Sequence, residues 1–177
     1  MALVVVSIII GYNYSVDQTR QKGFKFGNDL QQIQEDVKQE QIEFNSKITQ
    51  WKEGDLSQQE LFEYSKIHVE RLETILLKYD KLVPPKQFSP SVELFKLSTQ
   101  TQLDSDKELI EWIKTNDESH NIRSDSLLQE SFEYEMTALG EFNAVKSCGK
   151  RPDRRSKMPY SRTLIRSNRH AAGTCMA

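Results

Sequence analysis

The chain has 177 residues, of which 37% are hydrophobic and 28% charged, with only seven glycines and five prolines. That length suits one domain. So few turn-forming residues argue against an all-β fold, and so many charges suit slim helices better than a thick α/β core. The formal charge of −2 hides a split: residues 147–177 carry eight Lys/Arg against the single acid Asp153, about +7. Subtracting them from the 24 basic and 26 acidic residues of the whole chain leaves 16 and 25 in residues 1–146, about −9.

Residues 2–12 are uncharged and rich in Val, Ile and Leu. Eleven residues match the apolar region of a signal peptide and fall short of the roughly 20 an ordinary membrane span needs. A buried strand is the competing reading, since Val and Ile are β-branched, but no second strand is in prospect to pair with it. We therefore expect residues 1–16 to be a signal or anchor segment, with the body outside the cytoplasm. Arg20, Lys22 and Lys25 follow it and, counted alone, favour the opposite orientation.

Four helices are expected over 28–146. Gly23 and Gly27 interrupt the chain before the first, whose apolar residues Leu30, Ile33, Val37, Phe44, Ile48 and Trp51 share one face. Gly54 ends it. Ser57 and Glu60 have the spacing of a capping box for the second helix, and Leu56 and Leu61 that of a hydrophobic staple. Its stripe runs through Leu61, Phe62, Val69, Leu72, Ile75, Leu76, Tyr79 and Leu82, and Pro84-Pro85 stops it. Ser89 as N-cap with Pro90 at the first helical position opens the third. Its stripe is Leu94, Phe95, Leu109, Trp112 and Ile113, with Ser98, Gln102 and Ser105 between them, and Asn116-Asp117 closes it. Ser124 or Ser126 caps the fourth, with a stripe of Leu127, Leu128, Phe132, Leu139, Phe142 and Val145. Short loops force neighbouring helices antiparallel, so the expected fold is an all-α, antiparallel up-down bundle of about four helices. After Lys146 the periodicity stops, and 147–177 reads as a basic, disordered tail.

Chemistry is sparse. Helical bundles bind di-metal centres through inward Glu residues and Glu-x-x-His pairs, and none of His68, His120 or His170 follows a Glu by three. Cys148 and Cys175, both in the tail, offer no Cys-based metal site to the body. There is no Gly-rich phosphate loop, no Gly-x-Ser-x-Gly and no His-Glu-x-x-His. Acids two apart, such as Asp104/Asp106, point away from each other on a helix. No cofactor or metal is expected.

Two polar features stand out. His68 falls on the apolar stripe of the second helix, either as a core histidine hydrogen-bonded to Ser98, Gln102 or a similar neighbour, or as a ligand contact. Ser98, Gln102 and Ser105 form a polar waist on the third helix that could line a ligand cavity together with His68, or could pack. Trp51, Trp112, Tyr64, Tyr79 and Tyr134 could form an aromatic cage or simply be core. The basic tail could meet anionic lipid; nucleic acid is not an expected partner. The expected function is non-catalytic contact with another protein or the cell envelope from a membrane-anchored or exported bundle. The alternative is ligand sensing at the waist.

Overall fold

The computed structural model describes the backbone of residues 2–148 and the side chains of 22–147. The basic tail therefore lies outside the described residues, as do the side chains of the apolar N-terminal segment. Among the described residues the chain is all-helical, with four helices packed against one another: α1 (Ala2–Glu53), α2 (Gln58–Tyr79), α3 (Ser89–Thr115) and α4 (Glu118–Cys148). A short 3-10 turn, Lys86–Phe88, precedes α3.

Three local expectations are corrected. Gly23 and Gly27 do not interrupt α1, which runs through both. A helical glycine costs only about 1 kcal/mol relative to alanine, and Phe26 and Leu30, both buried, hold that stretch against the core. A Cβ added at Gly27 or at Gly140 in α4 would meet nothing within 4 Å. Gly27→Ala and Gly140→Ala should therefore each raise unfolding stability by about 1 kcal/mol, read as a higher urea midpoint. Gly54 is different: at φ +85° it holds the left-handed turn that ends α1.

Second, Ser89 is not the N-cap of α3. The 3-10 turn leads straight into the helix, so Phe88 occupies the cap and Ser91 Oγ donates to the Phe88 carbonyl at 2.8 Å. Third, α4 starts at Glu118, about two turns earlier than Ser124 or Ser126 as its cap would allow. Asn116 sits left-handed at φ 54° and its N–H bonds the Trp112 carbonyl. Asp117 then accepts the Ser119 N–H at 3.0 Å, and that bond holds its carboxyl below the usual range. The capping box of α2 is present in both directions: Ser57 N–H donates to Glu60 Oε2 (2.9 Å), and Glu60 N–H to Ser57 Oγ (3.3 Å).

Cross-helix pairs fix the register. Along α1 and α2, Asp36 meets Lys78, Glu40 meets His68 and Glu43 meets Tyr64. Along α2 and α3, Tyr79 meets Thr99, His68 meets Asp106 and Gln58 donates to the Ile113 carbonyl. Along α3 and α4, Ser98 meets Ser131, Ser105 meets Ser124 and Glu108 meets Arg123. Ascending numbers on one helix meet descending numbers on the next, so successive helices run in opposite directions.

The core divides in two. An upper cluster gathers Phe26, Leu30 and Ile33 with Leu72, Leu76, Tyr79, Phe95 and Leu103, topped by Phe88 and Phe142 with ring centroids 4.9 Å apart. A lower cluster gathers Phe44, Ile48, Leu61, Ile110 and Ile113, with Trp51 and Trp112 packed on it. Burying each large apolar side chain contributes about 1.5–3 kcal/mol.

The fourth helix departs most from expectation. Its buried residues are Ser124, Ser131 and Ala138, seven apart, facing Ser91, Ser98 and Ser105 of α3, also seven apart. Of the expected stripe, Phe132 is 54% exposed and Leu139 38%, while Leu127, Leu128, Phe142 and Val145 are half-buried. Small residues on both sides let the α3 and α4 backbones approach. Ser98 Oγ reaches the Ser131 carbonyl (2.9 Å), and Ser131 Oγ returns to the Ser98 carbonyl (3.1 Å).

Candidate functional site

Between the two apolar clusters lies a polar layer, and His68 is its centre. The ring has no exposed surface and stacks on Phe44, centroids 4.0 Å apart and planes 6° from parallel. Its Nδ1 faces Glu40 Oε1 at 3.4 Å and its Nε2 faces Asp106 Oδ2 at 3.0 Å. Both carboxylates are themselves buried. A carboxylate only accepts, so both contacts become hydrogen bonds when the ring carries a proton on each nitrogen. In that form one cation sits between two anions, and Gln41 donates to Asp106 Oδ2 (2.6 Å) while Gln102 donates to Oδ1 (3.3 Å). Arg71, half-exposed, approaches Glu40 and Glu43 at 3.5 and 3.4 Å from the solvent side.

The four residues singled out from the sequence therefore separate. His68 and Gln102 converge on Asp106 without touching one another. Ser98 and Ser105 turn the other way, donating to the carbonyls of Ser131 and Ser124 in the α3/α4 seam. His68 is a core histidine whose hydrogen-bonding neighbours are neither Ser98 nor Gln102 but Glu40 and Asp106, acids on two other helices. The aromatics do not converge either. Tyr64, Trp51 and Trp112 border the lower cluster, Tyr79 belongs to the upper one, and Tyr134 donates to Glu130 on its own helix.

Tyr79 marks the upper edge of the layer, receiving Gln34 Nε2 at 2.5 Å and bonding Thr99 at 3.0 Å. Burial pushes its phenol up to about 12. Tyr64 is also raised to about 12, by burial first and then by Glu40 and Glu43. Both should ionise after the ordinary phenols in a spectrophotometric alkaline titration. The stability that a raised phenol confers is complete below the unfolded value of 10 and is lost as pH climbs from 10 towards 12. For Tyr79 that loss amounts to about 3 kcal/mol, and Tyr79→Phe should reduce it in stability measurements across that interval.

One side of the layer opens to a cleft. No continuous seam joins α1 to α4, and between them lies a groove of about 780 Å³. Gln102, Ser105, Asp106, Leu109 and Trp112 of α3 form its floor, Glu35, Lys38, Ile42 and Asn45 of α1 one wall, and Asp125, Leu128, Phe132 and Glu135 of α4 the other. Leu128 and Phe132 are the apolar residues of the α4 wall, and Ile42, 53% exposed, lines the α1 wall. Every buried side-chain N and O among the described residues has a hydrogen-bond partner, so the floor is internally satisfied. The described residues contain no cluster of His, Cys, Asp or Glu suited to a metal ion.

Comparison of the chain with protein-family models, with curated proteins and with solved structures returns no match. Among the described residues no helix is long and apolar enough to cross a membrane.

Proposed function

We propose that the protein is a non-catalytic antiparallel up-down helical bundle, anchored at a membrane or exported, that acts by contact with another protein through the α1/α4 groove. The observation that carries this is the apolar part of the α4 wall: Phe132, 54% exposed, and half-buried Leu128 line the groove while serines fill the buried seam. An exposed apolar patch beside a cleft is the usual mark of an interaction surface. The uncharged run at 2–12 supports membrane attachment, and α1 carries its helical backbone from there into the bundle without a break.

A small ligand on the polar floor is the second reading, favoured by Gln102 and Asp106 lining the groove. Their polar atoms already bond one another, so a ligand would have to displace those bonds, whereas a protein partner needs only the apolar wall. Thermal-shift screening separates the two, since a ligand of the folded state raises its melting point.

The direct test places a photo-crosslinking residue at Phe132 in the native cell, with a control at Thr74 on the outer face of α2. A discrete adduct to another protein at 132 and none at 74, with the chain in the membrane or exported fraction, is the expected result. A chain wholly in the soluble cytoplasm that cross-links to nothing at 132 would remove the reading.

A further inference from the structure

We propose that the upper end of the bundle is itself a membrane contact, laid against a bilayer surface that carries anionic phospholipid. This rests on the membrane attachment proposed above and names the face of the bundle and the lipid class that it involves.

Charge along the bundle axis is the first argument. The upper end is built from residues 22–26 of α1, 77–88 linking α2 to α3, and 142–147 of α4, joined through the rings of Phe26, Phe88 and Phe142. These segments carry six lysines, Lys22, Lys25, Lys78, Lys81, Lys86 and Lys146, against the single acid Asp80. The opposite end, residues 51–60 and 111–120, carries two lysines against six acids. The lysine ion pairs among the described residues are those of Lys66, Lys78, Lys96, Lys107 and Lys114. Asp80 is already taken by Lys96. Lys22, Lys25, Lys81, Lys86 and Lys146 are all exposed, so their charge is directed outward.

Apolar exposure at the same end is the second argument. Val83 is 86% exposed and Phe24 77%, more than any other exposed large hydrophobic among the described residues. Pro84-Pro85 keeps the turn that carries Val83 out of both flanking helices. Bare apolar side chains set among lysines suit a bilayer interface, where the apolar groups enter the headgroup boundary and the bases meet phosphates.

Placement is the third. α1 runs without a break from the uncharged stretch 2–12 into this end of the bundle, so the basic end is the one nearest that stretch and the acidic end the one furthest from it. An anionic surface attracts bases held close to it and repels acids, within a Debye length of about 8 Å at physiological salt. An acidic protein would answer the lysines as well; the apolar stretch leading into this end is what favours lipid.

The test uses the full chain in a Cys148→Ser, Cys175→Ser background, with an environment-sensitive fluorophore at Val83→Cys and, as a control at the opposite end, at Gln59→Cys. Vesicles of phosphatidylcholine, alone or mixed with phosphatidylglycerol, carry nitroxides on their headgroups. The expected result is blue-shifted, quenched emission at position 83 with the mixed vesicles, little change with phosphatidylcholine alone, and none at 59 with either. Adding Lys81→Glu and Lys86→Glu, or raising salt to about 1 M, should abolish the quenching at 83. The bases of residues 147–177 are the same in that variant, so its loss of quenching assigns the contact to this end. A chain that pellets with the mixed vesicles overturns the proposal, and leaves the membrane attachment standing, if position 83 is unquenched, is quenched equally by phosphatidylcholine alone, or stays quenched in the lysine variant. A shift seen in native membranes but not with protein-free vesicles overturns it too, because this end would then face an acidic protein. A chain that stays in the supernatant overturns the attachment and this proposal together.

Discussion

Replacing His68 with leucine should lower unfolding stability by about 3–5 kcal/mol, read from the urea midpoint, although leucine is the more apolar residue. The imidazole is the shared partner of Glu40 and Asp106, and both acids are buried. Removing it leaves two carboxylates desolvated and facing each other across the site. Of these two acids Arg71 touches only Glu40, from the solvent edge, and Asp106 keeps only the amides of Gln41 and Gln102. The companion variant decides the cause. Changing Glu40, His68 and Asp106 together to leucine removes the charges along with their partner and should recover most of the loss. Both glutamines line the open groove and can turn to water there. A single variant as stable as the parent, or a triple as unstable as the single, would mean that the layer does not hold charge in the way its geometry indicates.

The layer was partly legible in the chain, as gaps in otherwise regular apolar stripes. The first helix steps from Val37 to Phe44, the second from Phe62 to Val69, and the third from Phe95 to Leu109. Glu40, then Ser65 and His68, then Ser98, Gln102, Ser105 and Asp106 occupy the core-facing positions in those gaps. Helical periodicity could place each gap on a face, and it drew attention to His68 and to the third helix. It could not place the gaps at one height, because that depends on the stagger between helices. Nor could it single out Glu40 and Asp106, since acids in a chain so rich in them look like solvated surface. The helix starts failed for a related reason. Ser89, Ser124 and Ser126 are good caps by residue type, but Ser89 follows a 3-10 turn that already commits the backbone, and Ser124 is needed in a buried seam. The capping box at Ser57 and Glu60 was readable because both of its bonds are local.

The sharpest departure from hydropathy is α4, and adjacent substitutions there should behave in opposite ways. Ser131→Phe adds a large apolar side chain at a position 4% exposed, and Phe132→Ser removes one from a position 54% exposed. The first should cost about 3 kcal/mol or more, because the seam is built from reciprocal hydroxyl-to-carbonyl bonds at 2.9 and 3.1 Å and leaves no volume for a ring. The second should stay within about 0.5 kcal/mol of the parent, as exposed substitutions do. The physical reason is that α4 has two faces that could have been buried. One repeats a small residue every seven positions and meets the same repeat on α3, so the two backbones close along many contacts at once. The other offers Leu128 and Phe132 to the groove, where α1 sets Val37, Ile42 and Ile48 among Gln31, Glu35, Lys38 and Asn45. Packing chose the complementary seam over the larger side chains and left the apolar face on the groove. Equal losses from the two substitutions would mean that α4 buries its large face after all, and the groove would then be core and not a surface open to a partner.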